Sequence, residues 1–426
     1  AGCGFSNERK TGSSSYKLSY ACDNPIKKSN LDSSKKYKVS FWAKNASTGS
    51  SNISILNWGG NSLTFNLESE WKYYEAEMYG GTEITVWSGS QAQAYIDELR
   101  LHPTDALMTT VQYDDKTGQT ISTCDVNNII QSVEYDEYNR PLLLRDQDGN
   151  IIVKQQFVYA TEISLNSPVS TPINWSNAGH NMAITSVVLE AGLTDANSFN
   201  SQLASLSDDK KRQSISYMDG LGRTVQSIAL KQSPSGKDII SIVEFDHLGR
   251  TPRSYLPYTK NTNGSFQPYA VNNISNYYYD DISQLSPGNI ANTQYPYTDV
   301  KYDGSPMNRI VESGGIGSTF RMGGGHTSKM KILRYVKNTD MVRNFQTTSG
   351  YYHDGNLVKI RVTDQQGEVS YLFNDKMGRT ILTRKILGGN TTKETYTIYD
   401  DFGNVSVTVP PMVVDMMKLT GDWNPH

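Results

Sequence analysis

Ser216-Tyr217-Met218-Asp219-Gly220-Leu221-Gly222-Arg223-Thr224-Val225-Gln226 is answered 27 positions on by Val243-Glu244-Phe245-Asp246-His247-Leu248-Gly249-Arg250-Thr251. The shared phrase is an aromatic closing a β-rich run, an Asp, two or three residues, Gly-Arg, and a new β-rich run. Its physical content is a hairpin. The Asp accepts backbone hydrogen bonds within the turn, Gly takes the positive φ that closes a three-to-five-residue loop, and Arg opens the returning strand. The guanidinium is then expected on the Asp or on the ring across the hairpin.

Working outward, the phrase returns at Tyr135-Asp136-Glu137-Tyr138-Asn139-Arg140, Phe373-Asn374-Asp375-Lys376-Met377-Gly378-Arg379 and Tyr399-Asp400-Asp401-Phe402-Gly403-Asn404. Tyr113-Asp114 and Tyr302-Asp303 are degenerate copies, with Gly118 and Arg309 displaced. Between copies lie secondary turns at Asp146–Asn150, Asp354-Gly355-Asn356 and Asp364–Glu368, so each unit reads as a pair of hairpin strands. The fold-defining residues are Tyr135, Asp136, Arg140, Asp219, Gly222, Arg223, Asp246, Gly249, Arg250, Asp375, Gly378, Arg379, Asp400 and Gly403.

This constellation resembles the YD repeat of the RHS (rearrangement hot spot) and teneurin-like family. Gly220-Leu221-Gly222-Arg223, Ser233–Asp238, Tyr255-Leu256-Pro257-Tyr258, Ser305–Arg309 and Gly323-Gly324-Gly325-His326-Thr327 are similar, in order, to the domain preceding the repeats in RHS proteins of Bacteroidota. The resemblance implies hairpins winding as one long sheet into a hollow β-shell, with Tyr and Arg ladders holding neighbours together and a C-terminal toxin or other cargo enclosed. It also implies a secreted or cell-surface location and secretion-system or cell-surface partners. The self-cleaving aspartyl-protease segment of such shells has no counterpart in this sequence.

Residues 1 to 103 read differently. Tyr16–Tyr20, Lys36–Lys44, Ser51–Ile55, Trp71–Met78, Ile84–Trp87 and Ala94–Leu101 are short runs, largely alternating, separated by Gly, Ser and Asn turns, the pattern of an antiparallel sandwich. Thr11–Leu18, Tyr37–Lys44 and Tyr95–Leu101 are similar to the galactose-binding-type jelly roll found in many carbohydrate-binding modules. A glycan site stacks sugar faces on aromatic rings, and Trp58, Trp71 and Trp87 are the candidates; the competing reading puts them in the core. Asp97 and Glu98 are candidates for a structural calcium ion, since hard cations want clustered oxygens.

The expected architecture is therefore all-β: a jelly-roll sandwich (1–103), the first repeats (104–160), an irregular insert (161–213) and the RHS-associated domain with further repeats (214–426). His102-Pro103 marks the first boundary because Pro stops a strand. Within the insert, Val187-Val188-Leu189 predicts a strand and Asp195–Ala204 a short helix. Residues 259–298 predict a loop or one helix, and Val413–Leu419 a helix or apolar stretch. The final repeat lacks a terminal capping unit, so a longer parent polypeptide is expected.

Composition agrees. The 426 residues include 27 Tyr, only 19% are charged, and the formal net charge is −3, which suggests neither nucleic acid nor an anionic membrane as partner. No apolar run approaches the roughly 20 residues of a membrane-spanning helix. Of the three cysteines, Cys3 and Cys22 form the candidate disulfide, and Cys124 falls in a strand-like region.

Catalytic and cofactor patterns are not found. The run Gly314–Lys329 lacks phosphate-loop spacing, the six histidines have no metal-ligand spacing, and there is no Gly-x-Ser-x-Gly elbow. Acid pairs such as Asp114/Asp115, Asp280/Asp281 and Asp400/Asp401 are adjacent strand or turn residues on opposite faces, simpler as turn acceptors than as a glycosidase pair. The expectation is a non-enzymatic structural protein without metal or cofactor. The rival is a glycan-binding adhesin acting through the sandwich.

Overall fold

The computed structural model describes residues 3–12, 14–20, 25–47, 49–57, 62–88, 93–159, 180–279, 292–335, 338–345, 350–388 and 391–424. Two compact units are present, Ala1–Val158 with Ala183–Gln213, and Tyr159–Met182 with Ser214–His426. The chain is all-β, a jelly-roll-type sandwich followed by sheets of repeat hairpins.

In the first unit, nine strands form the sandwich: β1 (Gly4–Ser6), β2 (Ser15–Ser19), β3 (Ile26–Ser29), β4 (Lys36–Asn45), β5 (Asn52–Asn57), β6 (Ser62–Asn66), β7 (Lys72–Tyr79), β8 (Glu83–Ser88) and β9 (Gln93–Pro103). One sheet runs β1-β2-β9-β4-β7 and the other β3-β8-β5-β6. The inward residues of both alternate along their strands and meet in one core that includes Leu18, Val39, Phe41, Ile53, Ile55, Ile84, Val86 and Ile96. Each such side chain contributes about 1.5–3 kcal/mol on burial.

Two departures from simple alternation prepare the outer face of the first sheet to receive the repeats. Glu98 takes φ +49°, and the β4–β9 register shifts between Ser40 and Trp42. This bulge reverses the parity of β9: Ala94 and Ile96 point into the core before it, Leu99 and Leu101 after it, which turns Arg100 to the opposite face. In β4 the whole run Val39–Ala43 is buried, because the outer face of this sheet is covered as well.

The cover is the start of the repeats: β10 (Thr110–Tyr113), β11 (Thr120–Cys124), β12 (Ile130–Tyr135), β13 (Pro141–Arg145) and β14 (Ile151–Val158), paired antiparallel in order. Trp42, Cys124 and Ile130 form a small buried cluster, with Trp71 and Tyr73 against it. Arg100, 2% exposed, donates to the carbonyls of Asp125 (2.9 Å), Cys124 (3.3 Å) and Met108, and to Asn128 Oδ1. β9 ends at Pro103 and the next strand, β10, belongs to another sheet, while sandwich and first repeats share one compact unit.

In the segment predicted as an insert, β15 (Asn181–Val188) and helix α1 (Phe199–Ser205) are found where a strand and a short helix are expected. Val188, Phe199 and Leu203 close over Leu143 and Ile151. The insert residues 160–179 lie outside the described set.

The second unit continues with β16 (Lys211–Met218), β17 (Thr224–Ala229) and β18 (Asp238–Ile242), then β19 (Arg253–Tyr255), β20 (Tyr258–Lys260) and helix α2 (Ala270–Tyr279). A nine-stranded sheet runs from β19 through β21 (Tyr297–Tyr302), β22 (Ile310–Gly314), β23 (Ser328–Tyr335), β24 (Val358–Thr363), β25 (Val369–Asn374), β26 (Thr380–Gly388) and β27 (Thr391–Tyr399) to β28 (Val405–Val409). Helix α3 (Pro411–Thr420) comes last, opened by a proline in its first turn and closed by Gly421 at φ +71°. Val414 and Met417 pack on Phe373, Leu382 and Tyr396. Buried Glu394 ties this layer down through Arg384 (2.6 Å) and Lys418 (2.8 Å).

The hairpin around Asp246 departs from the expected pattern. It does not join two strands of one ladder: β18 pairs with β20, whereas β19 pairs with β21. Only an isolated bridge, Val243 to Ser254, spans it. Pro252 and Pro257 flank the three residues of β19 and supply no amide to a ladder, so the chain changes sheets at this point.

Candidate functional site: a clamp from turn to turn

In the Asp219 turn the main chain closes by Asp219 N to Arg223 O (2.9 Å) and Gly222 N to Asp219 O (3.0 Å). One carboxylate oxygen accepts the amides of Leu221 and Arg223, both at 2.9 Å, and the other accepts Arg223 Nε at 2.8 Å. Gly222 sits at φ +77°. The same bonds recur around Asp136, Asp246 and Asp375, each with its own arginine. Asp303 holds Arg309 at 2.7 Å across a turn two residues longer. Register shifts at Tyr135, Met218, Tyr302, Asn374 and Tyr399 show why the loops fit: each is a turn closed by a left-handed residue and a bulge.

Asp400 binds Asn404 in place of arginine (3.1 Å), and the secondary turn at Asp146 does the same with Asn150 (2.8 Å). The aspartates are held below the usual carboxylate range: by the arginine side chain at Asp136, Asp219 and Asp303, and by backbone amides first at Asp114 and Asp400.

The ring nearest to each of four arginines is not the one expected across its own hairpin but one further along the chain, although Arg140 also lies 5.1 Å from Tyr138 in its own turn. Arg140 lies 3.8 Å from the centre of Phe157, Arg223 4.1 Å from Phe245, Arg250 4.4 Å from Tyr302 and Arg379 5.0 Å from Tyr399. The incoming tyrosine returns a bond to the residue after the preceding turn: Tyr135 donates to Thr120 O (2.8 Å), Tyr302 to Thr251 O (3.3 Å) and Tyr399 to Thr380 O (3.3 Å). A further contact runs turn to turn, from Gln119 Nε2 to Asn139 O (2.9 Å) and from Arg250 Nη1 to Asn308 Oδ1 (3.0 Å). The Asp fixes the guanidinium plane, and the fixed plane presents a face to the next ring.

Of the glycan candidates, Trp58 lies outside the described residues. Trp71 packs on the buried Trp42 cluster and under Lys44. Trp87 is half-buried on β8, where Ile84 and Val86 point into the core; it therefore stands on the outer face, opposite Ser54 and edge-on to Tyr20 at 6.3 Å.

Asp97 accepts the amides of Lys10, Thr11 and Glu98, while Glu98 accepts Thr11, Gln112 and Thr110. Burial pushes the Asp97 carboxyl up. Both carboxylates thus bind the N-terminal loop and first repeat to the bulge. Among the described residues, no group of three or more His, Cys, Asp and Glu is placed to hold a metal. Cys3 is disulfide-bonded, its expected partner Cys22 lies outside the described residues, and Cys124 is free and buried.

A pocket of about 300 Å³ opens beside the Asp375 turn, walled by Phe345, Tyr352, Ile398 and Tyr399. Its polar lining includes Asp375 and Arg379, already bound to one another. His326 bonds to Gln365 O in the glycine-rich interval, and His247 is an exposed turn residue. Among the described residues, no helix is long and apolar enough to cross a membrane.

Residues 190–333 match a family described as "Domain of unknown function (DUF6443)". No curated protein matches the chain. Among solved structures, a TcdB2-TccC3 lacking its hypervariable C-terminal region is 12% identical over 81% of this chain, with a TM-score of 0.45, and this chain spans 20% of its length. The CBM22-1 xylan-binding domain of Paenibacillus barcinonensis Xyn10C is 12% identical over 24% of this chain and 81% of its own, with a TM-score of 0.20. The CBM22-1-GH10 modules of Clostridium thermocellum xylanase 10B, complexed with xylohexaose, are 16% identical over 26% of each chain, also at 0.20.

Sequence reasoning missed Arg100 and Trp42. The signal was Phe41-Trp42-Ala43, three apolar residues in succession on a strand, which puts apolar side chains on both of its faces.

Proposed function

We propose that this chain is a non-enzymatic structural part of a secreted RHS-type polypeptide, in which the repeat sheet forms wall and a C-terminal segment of the same polypeptide is the enclosed cargo. The observation that carries this reading is the clamp. In turn after turn the Asp, Arg and Tyr groups bind the sheet itself, which suits load-bearing wall rather than chemistry. The test is protease treatment of the native polypeptide, following its C-terminal part. Resistance in the wild type, lost in Arg250→Ala/Arg379→Ala, is expected; equally fast digestion of the wild type rejects the reading.

A second reading is favoured by Trp87 alone, a half-buried ring on an outer sheet face beside Tyr20 and the hydroxyls of Ser54 and Thr64, which bond to each other at 3.0 Å. Such a surface suits stacking of a sugar ring. Affinity electrophoresis against soluble glycans, xylan included, decides it: retardation abolished by Trp87→Ala supports binding, and unretarded migration across the panel rejects it.

A further inference from the structure

In six of the repeat turns the residue preceding the left-handed position is large and exposed, Tyr138, Leu221, Leu248, Met307, Met377 and Phe402, whereas the degenerate turn at Asp114 carries Thr117 there. Turn chemistry does not demand this. The turns between repeats carry Asp148, Ser235 and Gln366 at the same place, before Gly149, Gly236 and Gly367. Successive turns of a meander alternate between its two edges, so in the nine-stranded sheet the apolar tips at Met307, Met377 and Phe402 lie on the edge opposite Gln366.

The tips of neighbouring repeats are contiguous. A Cβ added at Gly403 would lie 3.7 Å from Arg379 Nη1, so the Asp400 turn sits directly beside the Asp375 turn. Met377 is 77% exposed and Phe402 92%. Each is preceded by an exposed charge, Lys376 in one turn and Asp401 in the other.

We propose that this two-turn patch is a self-association surface, at which a second copy of the chain docks about a two-fold axis passing between the turns. Such an axis sets Met377 of one copy against Phe402 of the other, and Lys376 against Asp401, twice over. The patch is therefore complementary to itself in both shape class and charge, and Met and Phe are residues that interface cores favour. Each apolar tip supplies on the order of 100 Å², whereas a stable interface buries about 800 Å² on each partner. The association is accordingly weak and concentration-dependent.

Sedimentation velocity of the chain over a wide concentration range tests this. The wild type is expected to move from monomer toward dimer as concentration rises. Met377→Ser/Phe402→Ser should remain monomeric, with circular dichroism and melting unchanged. Lys376→Glu should weaken the dimer, and Lys376→Glu/Asp401→Lys should restore it. A wild type that is monomeric throughout overturns the proposal. So does a dimer that survives the double serine variant, that is not restored by charge reversal, or that is lost instead in Met416→Ser/Leu419→Ser on the exposed face of α3.

Discussion

Replacing Gly222 by alanine isolates what the turn demands of the backbone. Gly222 sits at φ +77°, and a Cβ built there meets nothing within 4 Å, so neither clash nor lost contact enters the result. What remains is the cost of a left-handed L-residue, about 1–2 kcal/mol, offset by the roughly 0.4–1 kcal/mol that alanine gains by restricting the unfolded chain. The net expectation is a loss of about 1 kcal/mol, or roughly 2–4 °C in the melting temperature of a unit of this size. The chain contains its own control, since Asn139 and Asn308 hold the equivalent position at φ +63° and +50°. Gly222→Asn should therefore retain most of the stability, and Gly222→Val should lose more than alanine because its branched Cβ fits the left-handed region worst. Differential scanning calorimetry of the three variants measures the order. If alanine costs nothing, or asparagine costs as much as alanine, the turn conformation is not what makes glycine necessary.

Three further expectations concern the clamp and the junction beneath it. Tyr135→Phe removes the donor to Thr120 O and should cost about 0.5–1.5 kcal/mol in urea unfolding; Phe245, a natural phenylalanine at that repeat position, already lacks this bond. Arg100→Met strips donors from the carbonyls of Met108, Cys124 and Asp125, and about 3 kcal/mol or more should be lost from the first unit, with a new early step in thermal unfolding. Stability should be flat through neutral pH and fall on both sides. The turn aspartates have folded pKa values below their unfolded ones, so their contribution is complete above the ordinary carboxylate range and disappears as pH drops through the depressed values. At the other end, burial pushes Tyr396 and Tyr255 up to about 12, so their contribution is lost between pH 10 and about 12. Melting temperatures across a pH series check both limbs; an acid limb absent below pH 4 would contradict the carboxylate assignment.

The hairpins were legible because their information is local. Asp, Gly and Arg at fixed offsets specify a turn whatever surrounds it, and the same bonds are found at Asp136, Asp219, Asp246 and Asp375. The destination of each guanidinium was not legible from spacing, because Phe157, Phe245, Tyr302 and Tyr399 lie 17 to 52 residues beyond their arginines. Only pairing order decides which ring arrives there. The sheet change at Asp246 was written in Pro252 and Pro257, yet a hairpin phrase as regular as its neighbour masked it. Trp71 illustrates the converse difficulty. A tryptophan opening a strand reads either as a sugar platform or as packing, and of the cluster it packs against only Trp42 belongs to the same sheet, while Cys124 and Ile130 come from the repeat sheet.

The clamp also has a direction. The guanidiniums of Arg140, Arg223, Arg250 and Arg379 are each pinned by the aspartate of their own turn, and the ring nearest to each is C-terminal to it. A chain emerging N-terminus first therefore presents a finished docking face to every hairpin made after it. Growth of this sheet from its N-terminal end would therefore require no rearrangement of the turns already closed. A defect in one turn would accordingly be felt by the next hairpin in the chain, while those made earlier stay in place.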